Sequence, residues 1–149
     1  MNRLRIWYVV ADGGRARIVE QRHGQEAFDT RQELVAADIH RRSHDLGTER
    51  PGRTHESGTS AHHAVQPRND LHRAAKEDFV HEVAALLNDA SRRDEFDGLV
   101  LVAPAHPLGD LRDALDETTR RKITGELQKD LTKVPNGDLA GHFAGLSRA

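Results

Sequence analysis

Ile6-Trp7-Tyr8-Val9-Val10-Ala11-Asp12-Gly13-Gly14-Arg15-Ala16-Arg17-Ile18-Val19 is the stretch that decides the fold. Residues 6–11 are apolar, β-branched or aromatic without polar alternation. Such a run reads as a strand covered on both faces and therefore central in its sheet. Asp12-Gly13-Gly14 is a turn signal, with glycines that supply the positive φ of a tight reversal. Arg15 to Gln21 then alternates, placing Ala16, Ile18 and Glu20 on one face and Arg15, Arg17 and Val19 on the other. His23-Gly24-Gln25 marks a second turn, and Ala27 to Ala36 a third strand ending in Leu34-Val35. Short turns between three strands make an antiparallel meander.

Working outward, Leu99-Val100-Leu101-Val102-Ala103 is a second all-apolar run, stopped by Pro104. It reads as a buried parallel strand. Before it, Phe79, Val83, Leu86, Leu87 and Ala90 recur at helical spacing within a helix expected over 71–93, with Asn69 or Asp70 placed to cap it. After it, Leu108, Leu111, Ala114 and Leu115 give another amphipathic helix ending near Asp116. Ile123, Leu127 and Leu131 fit a strand face or a helix stripe, because a spacing of four is also even. A strand over 123–131 is the expectation, since a helix precedes it and Pro135 suits the start of a new element. Leu139, Phe143 and Leu146 form a last helical stripe. The order is β-β-β-α-β-α-β-α. With right-handed crossovers it gives a five-stranded mixed sheet of order 3-2-1-4-5 flanked by helices, an α/β fold of ribonuclease H-like topology. Residues 1–149 read as a single domain. One polar stretch interrupts it at about 37–70, where large apolar residues nearly vanish. Stretches of that length are functional loops or linkers.

Composition narrows the partners. A formal net charge of -2 gives no overall pull on nucleic acid or an anionic membrane, so any such contact must come from a local patch. The absence of cysteine excludes disulfides, thiolate catalysis and cysteine-based zinc sites. Residues 6–11 form too short a run for a secretory core of roughly 7–15 apolar residues. No stretch approaches the ~20 apolar residues that cross a bilayer. A cytoplasmic protein without membrane contact is expected; the sequence carries no signal for oligomeric state.

A ribonuclease H-like sheet raises the question of two-metal hydrolysis, which needs converging carboxylates. Asp12 ends the first strand, but the central parallel strand runs into Val102-Ala103-Pro104-Ala105 with no acid. Asp12 therefore reads as a turn residue, and neither a metal nor another cofactor is expected. Six of the ten histidines (His40, His44, His55, His62, His63 and His72) lie between residues 40 and 72. Imidazoles bind zinc or nickel, yet here they lack a visible scaffold and read as solvated. Ser57, Thr59 and Ser60 near His62 lack the Gly-x-Ser-x-Gly elbow of a serine hydrolase, and no phosphate-binding glycine loop is present. Arginine is more coherent. Arg41, Arg42, Arg50, Arg53, Arg68 and Arg73 punctuate the polar stretch among Asp45, Glu49, Glu56 and Asp70, while Arg15 and Arg17 follow the first turn. Guanidinium groups suit bidentate phosphate contacts, positioning an RNA backbone without reading its sequence. The same arginines also read as solubilising charges paired with neighbouring acids.

Val10-Ala11-Asp12-Gly13-Gly14-Arg15-Ala16-Arg17, Glu49-Arg50-Pro51-Gly52-Arg53, Pro67-Arg68-Asn69-Asp70, residues 96–104 and Lys129-Asp130-Leu131-Thr132 together resemble the bacterial host attachment proteins. That family is in turn similar to the middle domain of archaeal and eukaryotic class-1 peptide-chain release factors. In those factors the loop before the long helix carries a Gly-Gly-Gln tripeptide that enters the peptidyl transferase centre. The equivalent stretch here, residues 50–63, has no Gly-Gly-Gln, so peptide release is not expected. The resemblance implies a binding domain more than an enzyme, engaging the ribosome or tRNA through residues 41–73. Arg50, Arg53 and Arg68, with Arg15 and Arg17, would hold phosphate; Ser60, His62 and His63 would mark the loop tip. Two alternatives stand beside it. One is a hydrolase of an RNA or aminoacyl ester using loop histidines or a bound metal, and the other an attachment-related protein acting indirectly.

Overall fold

A computed structural model describes residues 4–22, 25–36, 68–144 and 146. The elements are β1 (Ile6–Ala11), β2 (Arg15–Gln21), β3 (Phe28–Val35), α1 (Arg68–Arg92), β4 (Gly98–Val102), α2 (Ala105–Ala114), α3 (Glu117–Arg120) and β5 (Ile123–Leu127), then a 3-10 turn at Asn136–Asp138 and α4 (Leu139–Phe143). One sheet has the order β3-β2-β1-β4-β5. The β1–β2 and β2–β3 pairs are antiparallel, β1–β4 and β4–β5 parallel. This is the mixed ribonuclease H-like arrangement expected from the two apolar runs. They sit side by side, with Val9 opposite Leu101.

Alternation along β1 explains why both sheet faces need cover. Trp7, Val9 and Ala11 join Ile18, Leu99 and Leu101 under α1 and α2, against Phe79, Val83, Leu87 and Leu111. Val10 points the other way, with Val19, Val100 and Val102, under Leu131, Leu139 and Phe143. Aromatic contacts close each core. Trp7 lies 4.8 Å from Phe96, donates Nε1–H to Glu20 Oε1 at 3.1 Å, and carries the Arg31 guanidinium 5.0 Å above its ring. Arg31 reaches it because the β2–β3 register shifts between Ile18 and Val19, leaving Arg31 as the extra residue of a bulge. On the other face Tyr8 stacks on Phe143 at 4.7 Å, and Phe28 meets both edge-on.

Several boundaries differ from the periodicity reading. α1 begins at Arg68, so Asn69 and Asp70 lie inside the helix and the polar stretch is shorter by its last residues. β5 ends at Leu127 because Lys129 N turns back to donate to Leu127 O at 3.1 Å. Leu131 is buried all the same, on the second face beyond the strand. α3 has no apolar stripe; it starts because Asp116 accepts the Thr119 N–H at 2.9 Å as a side-chain cap. No helix among the described residues is long and apolar enough to cross a membrane.

The connector from 128 to 135 is held down by one side chain. Arg17, on β2, donates Nε–H to Asn136 Oδ1 at 3.0 Å, Nη1–H to the Thr132 carbonyl at 3.0 Å, and Nη2–H to the Val134 carbonyl. Asn136 Nδ2 then donates to Thr30 Oγ1 at 2.8 Å, tying the connector to β3 as well. Arg17→Met keeps the stem but strips these donors. We expect a loss of about 1–3 kcal/mol and faster amide exchange confined to residues 130–138. Phe96→Ala, at a fully buried ring, is expected to cost about 3–5 kcal/mol. It should lower the urea midpoint at unchanged slope, followed by the emission of Trp7, the one tryptophan.

Candidate functional site

In open α/β sheets, ligands gather at the carboxyl ends of the parallel strands. At that edge β1 ends in the Asp12 turn. Asp12 N donates to Arg15 O at 2.9 Å, and Asp12 Oδ1 accepts the N–H groups of Gly14 at 2.7 Å and Arg15 at 2.8 Å. The carboxylate is thus committed to the turn, as the sequence implied. Its other oxygen, Oδ2, lies 3.2 Å from Thr132 Oγ1, which lies 2.5 Å from Asp130 Oδ1. One hydroxyl has one proton for two carboxylates, and the shorter contact assigns it to Asp130. Among the described residues, no three His, Asp or Glu side chains converge as a metal cage.

The same turn anchors both flanks of the polar segment. Ala36 N donates to Gly14 O at 2.8 Å. Gly13 packs on Lys76 of α1 so closely that a Cβ there would lie 2.8 Å from Lys76 Cδ. A side chain at that position would have to displace the Lys76 stem. Residues 37–67 are therefore flanked by chain that abuts the Asp12 turn on each side.

Beside the turn is a groove of about 300 Å³ lined by Val10, Arg15, Arg17, Glu33, Val35 and Thr132, among others. Register explains the grouping, since Arg15 faces Val35 and Arg17 faces Glu33 across β2 and β3. Arg15 is exposed at the rim, and no ion pair joins it to a described residue. Arg17 differs. Its donors are spent on the connector, so it positions the groove wall instead of reaching out to phosphate as its place in the sequence suggested. Burial lowers its pKa while the field of Glu33 opposes that shift; a guanidinium nevertheless stays charged.

Of the remaining candidates, Arg68 opens α1. Arg50, Arg53, Ser60, His62 and His63 lie outside the described residues. Sequence reasoning missed Glu33, Asn136 and the Thr132–Asp130 pair as parts of this edge. A larger hollow of about 1050 Å³ at the opposite edge touches Arg5, Arg22 and Arg31. Their cations are already paired, with Asp97 at 3.2 Å, Asp29 at 2.6 Å and Glu20 at 3.4 Å, so it offers less to an anion.

Asp130 carries a measurable signature of this edge. The Thr132 hydroxyl holds its carboxyl below the ordinary range, with smaller help from the Thr132 N–H and Lys133 against partial burial. A depressed folded-state pKa contributes stability above the unfolded value of about 3.9, lost as pH falls through the folded value. Thr132→Val should return the Asp130 carboxyl towards its ordinary pKa and shrink that acid-side loss, read by carboxyl NMR titration.

The family model described as "Protein required for attachment to host cells" matches residues 7–143. No curated protein matches the chain. Among solved structures, the crystal structure of an archaeal translation termination factor, aRF1, is similar at 11% identity and a TM-score of 0.48. That similarity spans 83% of this chain and 30% of the other, so the chain covers under a third of that protein's length. A likeness of that size carries no argument about activity or partners. The family match does carry one: the chain belongs to the family of proteins required for attachment to host cells.

Proposed function

We propose that this host attachment family chain is a cytoplasmic binding domain that grips RNA phosphates, on the ribosome or on tRNA, through residues 41–73. The observation that carries the reading is the anchoring of both flanks of the arginine- and histidine-rich segment at one sheet edge, where exposed Arg15 adds a further cation. A rigid base with cations on its outgoing chain suits backbone contacts that position without reading sequence. Arg50, Arg53 and Arg68 are the residues assigned to phosphate, with Ser60, His62 and His63 near the tip. The attachment phenotype is then an indirect consequence of binding.

Charge arithmetic makes the proposal specific. Residues 41–73 hold Arg41, Arg42, Arg50, Arg53, Arg68 and Arg73 against Asp45, Glu49, Glu56 and Asp70, a formal excess of two positive charges, and five histidines besides. That excess grows as those histidines protonate near pH ~6.5. Co-sedimentation of the full chain with ribosomes should therefore strengthen as pH falls from about 7.5 to about 6 and weaken steeply with added salt. Arg50→Gln with Arg53→Gln should reduce both the binding and its salt slope. Absence of salt-sensitive association at low salt would sink the reading. Turnover of an RNA or aminoacyl ester that is lost in His62→Ala with His63→Ala would establish a hydrolase in its place.

A further inference from the structure

Asn136-Gly137 is the only Asn-Gly pair in the sequence, and it lies in the chain that Arg17 holds down. An asparagine followed by glycine loses its side-chain amide in water more readily than other pairs, because no Cβ shields the next backbone nitrogen. Neither crowding nor a positive φ calls for glycine at 137, where an added Cβ would meet no atom within 4 Å. Gly137 is exposed, so water reaches the pair. Asn136 itself is held at both ends of its amide. Its Oδ1 accepts Arg17 Nε–H at 3.0 Å, and its Nδ2 donates to Thr30 Oγ1 at 2.8 Å. The backbone is fixed as well, since Asp138 N donates to Pro135 O at 2.9 Å and Leu139 N donates to Asn136 O.

From this we infer that Asn136 is a self-modification site, a deamidation switch that the Arg17 and Thr30 contacts keep shut. In the reaction Gly137 N loses its proton and bonds to Asn136 Cγ. The Cγ–Nδ2 bond breaks, and Nδ2 leaves with that proton as ammonia. Water then opens the cyclic imide, and no other co-reactant is needed. Attack at Cγ leaves an ordinary aspartate; attack at the main-chain carbonyl carbon routes the chain through the side chain as isoaspartate. Ring closure requires Gly137 N to eclipse Asn136 Cβ about the Cα–C bond. A 3-10 ψ of about −20 to −30° keeps the two apart, and turning it breaks the Leu139 bond to Asn136 O. The ring therefore closes only in molecules whose connector has opened. The two products act in opposite directions. An aspartate at 136 still accepts Arg17 Nε–H and supplies the carboxylate that this guanidinium lacks among the described residues. Isoaspartate adds a methylene to the backbone inside a three-residue turn. It breaks the turn's hydrogen bonds and releases residues 130–138 from β2 and β3 permanently.

The test is incubation of the full chain at mildly alkaline pH, with peptide mapping by mass spectrometry over time. Conversion of the 136 amide to acid should run at least about tenfold more slowly in the folded chain than in the same chain unfolded in guanidinium chloride, the scale of the hydrogen bonds that opening breaks. Arg17→Met and Thr30→Val should each speed it in the folded state, the first by about tenfold or more. Gly137→Ala, which meets open space, should nearly abolish it folded or unfolded. Fractions enriched in isoaspartate should show fast amide exchange at 130–138, whereas Asn136→Asp should keep the native rates. Equal conversion in folded and unfolded chain, or no acceleration in Arg17→Met, would overturn the inference. If Arg17→Met loses protection throughout and so fails to fold, Thr30→Val at an exposed residue decides alone. Ribosome association is not among these readouts, so the outcome is independent of the RNA-binding reading.

Discussion

The parallel pairing of β1 with β4 is the constraint on which the remainder rests. Val9, Val10, Leu101 and Val102 are fully buried, so the central pair demands cover on both faces. α1 and α2 supply it on one side with long apolar stripes. Among the described residues, the other side receives only α4, five residues long, and the irregular connector before it. A helix of that length has no stability of its own in water, because nucleation costs more than one turn returns. It persists through the packing of Phe143 on Tyr8 and Phe28 and through the Arg17 bonds that fix the preceding chain. One charged side chain on β2 thereby completes a hydrophobic face that the helices leave thin.

β3 shows how the sheet's outer strand is kept from pairing with other chains. Asp29, Thr30, Arg31, Gln32 and Glu33 are all exposed, and the register shift opposite Ile18 breaks the flat edge. Charge and a bulge are the usual guards of such strands. Here they have second uses. Arg31 folds over Trp7 and closes the first core, while Glu33 is left facing the groove. Exposure on β3 thus leaves a carboxylate open to the groove at one end and seals the core at the other.

How much of this was legible in the sequence depends on the range of the interaction. β1 and β4 were readable because unbroken apolar runs have few alternatives, and the α1 stripe because Phe79, Val83 and Leu87 recur with the helical period. The end of β5 was not, since Leu127 and Leu131 share a spacing that suits strand and helix alike, and only the Lys129 turn separates them. α3 escaped because a four-residue helix is set by its Asp116 cap and has no periodicity to read. Arg15 and Arg17 looked equivalent as alternate residues of one strand. They are made different by Thr132, Val134 and Asn136, more than a hundred positions away, which consume one guanidinium and leave the other at the rim.

That asymmetry also says what kind of chemistry the described edge favours. The carboxylate at the end of β1 is occupied by Gly14 and Arg15 amides, and its free oxygen faces a threonine hydroxyl whose proton belongs to Asp130. An acid spent on a turn is poorly placed to activate water or hold a cation. The group left accessible beside it is a guanidinium, always charged and rich in donors, which holds anions well and transfers protons badly. At the carboxyl end of β1 the Asp12 and Asp130 carboxylates are engaged within the edge, and the groups left open beside them are the Arg15 guanidinium and the Glu33 carboxylate.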